Sequence, residues 1–145
     1  MEIIQASIEN LDSVTELFNL YRVFYNQEQD IEGASEFLKE RLVNRESVIF
    51  IVFEENEPVG FTQLYPLFSS VSMKRSWLLN DLYVKANARK KGYGEALLKK
   101  AISFAQETGA KGISLETGED NKSAQGLYEK IGFKRETNYF YYYSN

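Results

Sequence analysis

The run Arg89-Lys90-Lys91-Gly92-Tyr93-Gly94 places three cations and two glycines directly ahead of a helix-forming stretch. The first amides of a helix have no intrahelical acceptor, and its aligned peptide dipoles make that end favourable for phosphate oxygens. Gly92 and Gly94 let the chain turn sharply and bring backbone close to an anion, where a Cβ would obstruct it. The expected chemistry is the cradling of a phosphate or pyrophosphate by main-chain amides, with charge-assisted help from Arg89, Lys90 and Lys91. The loop lacks the third glycine of a dinucleotide fingerprint and the lysine-serine/threonine ending of a nucleoside-triphosphate loop. Taken alone, it is equally a turn on a wetted surface.

Proton transfer has few carriers here. The chain contains neither histidine nor cysteine. That excludes disulfide scaffolding, a zinc-thiolate centre, a thiol nucleophile and a serine-histidine triad, and no metal site is expected. Acid-base work near neutral pH must therefore fall to carboxylates, tyrosines, water or backbone groups.

These residues need elements to position them. Ile3 to Ala6 suits a short first strand, with Ser7 or Asn10 able to cap the first helix. Leu11, Val14, Phe18, Tyr21 and Tyr25 recur at three- and four-residue spacing, one face of a helix. A second helix is expected from Ala34 to Val43. The period then changes to a β-prone run, Val48 to Phe53, and Glu54 to Pro58 reads as a hairpin turn into a strand from Val59 to Leu67. Trp77 to Val84 supplies a further strand, Ala88 to Lys91 a loop, and Gly94 to Gln106 a helix that Gly109 ends. Ile113 to Glu116 is the next strand, Ser123 to Lys130 the next helix with Gly132 just beyond, and Phe133 to Tyr143 returns as one or two strands. The order implies an α/β fold, a mixed central sheet with helices on its faces, and it places ligands at the strand-to-helix junctions of the second half.

At 145 residues, with 43% apolar and 26% charged side chains, residues 1–145 read as a single domain with a substantial core. The net charge of −4 argues against direct nucleic-acid binding. No basic-then-apolar leader opens the chain and no apolar run is long enough to span a bilayer, so no membrane association is expected and the cytoplasm is the expected compartment.

Three blocks together carry more than any one. Trp77-Leu78-Leu79-Asn80-Asp81-Leu82-Tyr83-Val84, then Arg89-x-x-Gly92-x-Gly94, then Asn121-x-x-Ala124-x-x-Leu127-Tyr128-x-x-x-Gly132-Phe133 resemble the GNAT superfamily of N-acetyltransferases. The pattern is most similar to its polyamine- and histone-acetylating branches. The resemblance implies acetyl-coenzyme A as cofactor, with the amides from Lys90 through Gly94 around its pyrophosphate and Arg89 opening the loop. It implies a bulge near Tyr83 that splays two strands, so that main-chain groups of Leu82, Tyr83 and Val84 bind the pantetheine arm as an added strand. A fixed peptide dipole there would polarise the acetyl carbonyl. Asn121 matches the asparagine that reaches the pantetheine amides, and as a residue it also suits a helix cap. Tyr128 matches the tyrosine that protonates the departing thiolate; beside Leu127 and Phe133 it also suits core packing.

Acetyl transfer to an amine requires a deprotonated nucleophile. Polyamine-type members carry a glutamate where this chain has Asn80, and asparagine cannot act as a base. The role passes to Asp81, Glu116, water or solvent. Glu116 is the preferred acidic contact because it closes its strand, whereas Asp81 faces the opposite side of the sheet in a regular strand. Tyr21, Tyr25, Tyr65 and Phe68 suit a substrate mouth and equally a core, with Asn26 and Glu28 at the rim. The expected partner is an amine-bearing small molecule or a lysine-like substrate. Tyr139-Phe140-Tyr141-Tyr142-Tyr143 is expected to be buried in the last strand, with a homodimer seam as the added expectation. The readings in competition are an amine N-acetyltransferase, an acyl-coenzyme A sensor without turnover, and a protein-binding domain using the tyrosine-rich tail.

Overall fold

A computed structural model describes all residues 1–145. The strands are β1 (Glu2–Gln5), β2 (Val48–Glu54), β3 (Glu57–Ser69), β4 (Lys74–Val84) and β5 (Ile113–Ser114); the helices are α1 (Leu11–Phe24), α2 (Ile31–Val43), α3 (Tyr93–Glu107) and α4 (Lys122–Ile131). They form one five-stranded sheet in the order β1-β2-β3-β4-β5, antiparallel except for the parallel β4–β5 pair. The mixed sheet flanked by helices is the expected architecture.

Two apolar layers hold it. On one face α1 and α2 pack Val14, Leu17, Phe18, Ala34 and Leu38 against Ile49, Ile51 and Phe61. On the other, α3 sets Tyr93, Leu97, Leu98, Ala101 and Ala105 against Phe50, Val52, Leu64, Trp77 and Leu79. The period-two alternation of β2, with Ile49 and Ile51 to one layer and Phe50 and Val52 to the other, is what a strand buried on both faces requires.

Local chemistry accounts for several boundaries. Asp30 caps α2 by accepting from the Gly33 amide, so the helix begins three residues before the apolar stripe that marks it in the sequence. Glu55 and Asn56, both at positive φ, make the two-residue turn of the β2–β3 hairpin. Gly92 stands at φ +86° immediately before α3, where a residue with a Cβ would be strained.

Three expectations fail. Phe133 to Tyr143 forms no strand, and residues 134–145 carry no regular structure. β5 is two residues long and ends before Leu115 and Glu116. The irregularity in β4 lies at Asn80 rather than near Tyr83, because Gln63 pairs with Asp81 and Leu64 with Leu79 while Phe61 still pairs with Tyr83 in register. A strand needs a paired neighbour, and neither the tail nor the segment beyond Ser114 has one.

Candidate active site

The extra residue in β4 decides where its acidic group points. Trp77 and Leu79 face α3, and strict alternation would send Asp81 the same way. Two residues, Asn80 and Asp81, instead stand opposite Gln63, the signature of a β-bulge. Beyond it Leu82 and Val84 pack toward α3 and Tyr83 toward α1 and α2. Asp81 is thereby turned onto the α1–α2 side, where it is only 2% exposed.

Its carboxylate is held by neighbours rather than by a cation. The Asn80 amide donates to Oδ1 at 2.7 Å, and the Gln63 amide donates to Oδ2. Gln63 is itself fully buried and accepts from the Ser47 hydroxyl at 2.8 Å. The Tyr21 hydroxyl donates to the Asn80 carbonyl at 3.4 Å, beside the carboxylate. Burial pushes the Asp81 carboxyl above its ordinary value, and the hydrogen bonds from Asn80, Gln63 and Tyr21 only partly oppose it. The same surroundings push Tyr65 up to about 12 through burial and the Asp81 charge, and raise Tyr21 further for the same two reasons in the same order. Both phenols stay protonated near neutral pH. Gln63 and Ser47 were not legible as site residues; the one signal was an amide within the β-prone run Val59-Gly60-Phe61-Thr62-Gln63-Leu64.

Beside this acid the sheet opens. β4 and β5 pair only through Trp77 with Ile113 and Leu78 with Ser114, so from Leu79 onward β4 has no parallel neighbour. The Lys85 amide donates to the Val59 carbonyl at 2.8 Å, which fixes the alternation of the β3–β4 ladder. The peptide groups of Tyr83 therefore face β3, and those of Leu82 and Val84 face the open edge. Of these, the Val84 carbonyl already accepts from Arg89 Nε at 2.9 Å. An extended ligand has main-chain partners at Leu82 and at the Val84 amide.

The loop ahead of α3 lies at the end of the same cleft. No side chain caps α3, and its first intrahelical bond runs from the Ala96 amide to the Gly92 carbonyl. The amides before Ala96 therefore point outward without intrahelical acceptors. A Cβ on Gly94 would meet nothing closer than Val84 Cγ2 at 4.0 Å, so the fold itself does not demand glycine there.

The cationic side chains are partly engaged elsewhere. Arg89 lies over the rings of Phe24 and Tyr83, at 5.1 and 5.6 Å. Lys91 pairs with Glu54 at 3.4 Å, and Lys90 is exposed at a positive φ. Tyr93 points into the core and donates to Glu54, so only its main chain belongs to the loop.

The remaining residues divide clearly. Tyr21, Phe24, Tyr25 and Tyr83 form a continuous aromatic cluster at the end of α1, with Tyr21 and Tyr25 rings 5.1 Å apart and Phe24 and Tyr83 rings 6.1 Å apart. Tyr65 stands on the Asp81 side, whereas Phe68 is exposed beneath Arg75 and takes no part. Asn121 caps α4, accepting from the Ala124 amide at 3.2 Å. Tyr128 is half-buried beside Phe133, and its hydroxyl makes no hydrogen bond within the chain. Burial, then the neighbouring Tyr25, raises its phenol above the ordinary value. Glu116 is exposed, two residues past β5, and bonds to nothing.

A model of the acetyltransferase (GNAT) family matches residues 14–133, which includes the bulged strand, the open edge, the glycine turn and α4. The chain belongs to that family. YhfO of Bacillus subtilis (strain 168), an uncharacterized N-acetyltransferase, is 49% identical over 145 residues, all of this chain and 97% of that protein. A probable acetyltransferase of Haemophilus influenzae is 33% identical over 92% of this chain and 90% of its own length. The crystal structure of a probable acetyltransferase superposes with a TM-score of 0.93 at 42% identity, covering all of this chain and 99% of the other. This GNAT protein is thus an acetyl-coenzyme A-dependent acetyltransferase. The match reaches the family as a whole and does not single out a polyamine- or histone-acetylating branch. No helix is long and apolar enough to cross a membrane.

Proposed function

We propose that residues 1–145 act as one domain that transfers an acetyl group to a primary amine, of a small molecule or a lysine-like side chain, by direct attack in a ternary complex. Acetyl-coenzyme A supplies the activated acyl group as a thioester. The residues fit such a group: the uncapped start of α3 and the open space over Gly92 and Gly94 suit its phosphates, and the free edge of β4 suits its extended arm. Lys90 through Gly94 hold the phosphates chiefly by main-chain amides, with Arg89 and Lys91 contributing field more than contact. Leu82 and Val84 hold the arm, and Asn121 orders the turn into α4 while reaching the same arm.

The observation that carries the amine reading is the buried carboxyl of Asp81, turned by the Asn80 bulge toward the aromatic cluster and adjoining the open edge. A carboxylate whose proton affinity burial has raised is a better proton acceptor at neutral pH than a solvated one. Asp81 takes the proton from the attacking nitrogen, and Asn80 and Gln63 hold its oxygens in place, with the Tyr21 hydroxyl bonded to the Asn80 carbonyl beside them. This revises the preference for Glu116, which is exposed and has no hydrogen-bond partner to orient it; a contact to a substrate cation is the role left to it. Tyr128 keeps its proton on Oη until a thiolate departs and then delivers it. Tyr21, Tyr25 and Tyr65 form the acceptor's mouth with Phe24 and Tyr83, which suits an amine on an aliphatic or aromatic body.

The test mixes the purified protein with acetyl-coenzyme A and a panel of primary amines, alcohols and thiols, and follows free thiol release and product mass. Transfer confined to amines is expected. Transfer to alcohols in preference to amines refutes the amine assignment.

A further inference from the structure

Two consecutive residues of β3 grip Asp81 from opposite faces of the sheet. Gln63 donates to its carboxylate, and the Thr62 hydroxyl donates to its main-chain carbonyl at 2.8 Å. Both residues are fully buried. Phe61 lies in the α1–α2 layer and Leu64 in the α3 layer, so alternation along the strand sets Gln63 with Phe61 and Thr62 with Leu64. A buried hydroxyl is costly unless paired. That of Thr62 makes this one side-chain bond, to the main chain of the residue whose direction the bulge decides.

The same face of β3 shows how the bulge tilts β4 across its neighbour. At Gly60, two residues before Thr62, a Cβ would lie 2.9 Å from the Tyr83 carbonyl oxygen and 3.2 Å from the Val52 and Val84 side chains. Asp81 and Tyr83 follow directly on the extra residue, Asn80. Their carbonyls both lean toward the α3 side of β3, where one finds room over Gly60 and the other a donor in Thr62. A bulge increases the local right-handed twist in this way.

We propose that Thr62 is a positioning residue for acetyl transfer: its hydroxyl anchors the main chain of Asp81 and so holds the bulge that aims the carboxylate, a role that rests on Asp81 being the acceptor of the amine's proton. Gln63 orients the carboxyl group about its own side-chain torsions, but it does not fix where the main chain carries that group. Were the extra residue one step further along β4, Asp81 would fall under the regular alternation of Trp77 and Leu79 and face α3. The Thr62 hydroxyl ties the Asp81 carbonyl in the observed register and opposes that slip. Burial is the larger cause of the raised Asp81 carboxyl, so a carboxylate freed to turn toward water should titrate lower.

Thr62→Val keeps the branched shape and removes the donor, and Thr62→Ser restores a donor without the methyl group. Carbon-13 NMR of the aspartate carboxyls, with the Asp81 signal assigned by its loss in Asp81→Asn, follows the Asp81 titration independently of turnover. In Thr62→Val, kcat on the best amine should fall by about tenfold with the KM for acetyl-coenzyme A little changed, and the Asp81 midpoint should move down toward the ordinary carboxylate value. Thr62→Ser should restore both. A Thr62→Val protein with the parent's kcat and Asp81 midpoint overturns the proposal, even where its urea midpoint has dropped, because a hydroxyl that only stabilises the fold would do that. Asp81→Asn, assayed alongside, keeps the two roles apart. Parental turnover in that variant removes Asp81 as proton acceptor and the role of Thr62 with it, whereas an inactive Asp81→Asn beside a fully active Thr62→Val refutes the role of Thr62 alone.

Discussion

Asp81→Asn should abolish transfer while making the protein more stable at neutral pH. Asparagine cannot accept the amine proton, and a positioned general base contributes about 10²–10⁴-fold, which is about 3–5 kcal/mol of barrier. The hydrogen-bond network can adapt without leaving a buried group unpaired. Asp81 accepts from Asn80 and Gln63, whereas asparagine offers one acceptor and one donor group. If the Gln63 amide rotates, its oxygen accepts from the new amide and its nitrogen donates to Ser47, whose hydroxyl serves as acceptor as readily as donor. The penalty of about 1–3 kcal/mol for an unsatisfied buried group is therefore avoided.

The substitution removes the cost of burying a charge. The folded-state pKa of Asp81 lies above its unfolded value because burial disfavours the anion. Its contribution to stability is then fully present below the ordinary carboxylate value and is lost as pH rises through the raised one. The substituted amide does not titrate, so the stability advantage of the variant should be absent in acid, grow across that window and level off above it. Urea unfolding of both proteins at stepped pH, from about 4 to 9, reads this difference as a shift in midpoint at constant slope. Turnover within tenfold of the parent on the best amine, or a variant less stable than the parent at neutral pH, refutes the role and the burial argument respectively.

Tyr128→Phe should lower kcat by at least about tenfold with little change in the Kd for acetyl-coenzyme A, because the hydroxyl matters chiefly as the thiolate departs; single-turnover kinetics with calorimetry separates the two, and unchanged turnover rejects the assignment. Gly94→Val should leave stability within about 1 kcal/mol, since only Val84 lies near the new side chain, yet weaken acetyl-coenzyme A by at least about tenfold. Equal affinity in a titration would place the phosphates elsewhere. Thr15→Val should raise unfolding free energy by about 1 kcal/mol, because the buried Thr15 hydroxyl has no hydrogen-bond partner; a urea midpoint that does not rise means the hydroxyl is satisfied by water.

What was legible depended on the range of the interaction that decides it. α1 and α3 were readable to within a residue or so because their apolar spacing and their ends are local: three- and four-residue periodicity, and the Gly92 turn. The loop ahead of α3 was legible in its backbone and less so in its side chains, since the pairing of Lys91 and Tyr93 with Glu54 requires β2 to lie beside α3. Asp81 shows the limit most plainly. Its residue type marked it as an acid, but its direction turns on one extra residue opposite Gln63, and a bulge is a property of two paired strands rather than of either alone. Period-two reasoning assumes a regular strand and therefore aims Asp81 at the α3 side of the sheet rather than the α1–α2 side it occupies. The tail follows the same logic. Tyr139 to Tyr143 carry the composition of a strand and none of its hydrogen bonds, because strand propensity expresses a fit to a neighbouring pleated surface, and none lies against them in the chain.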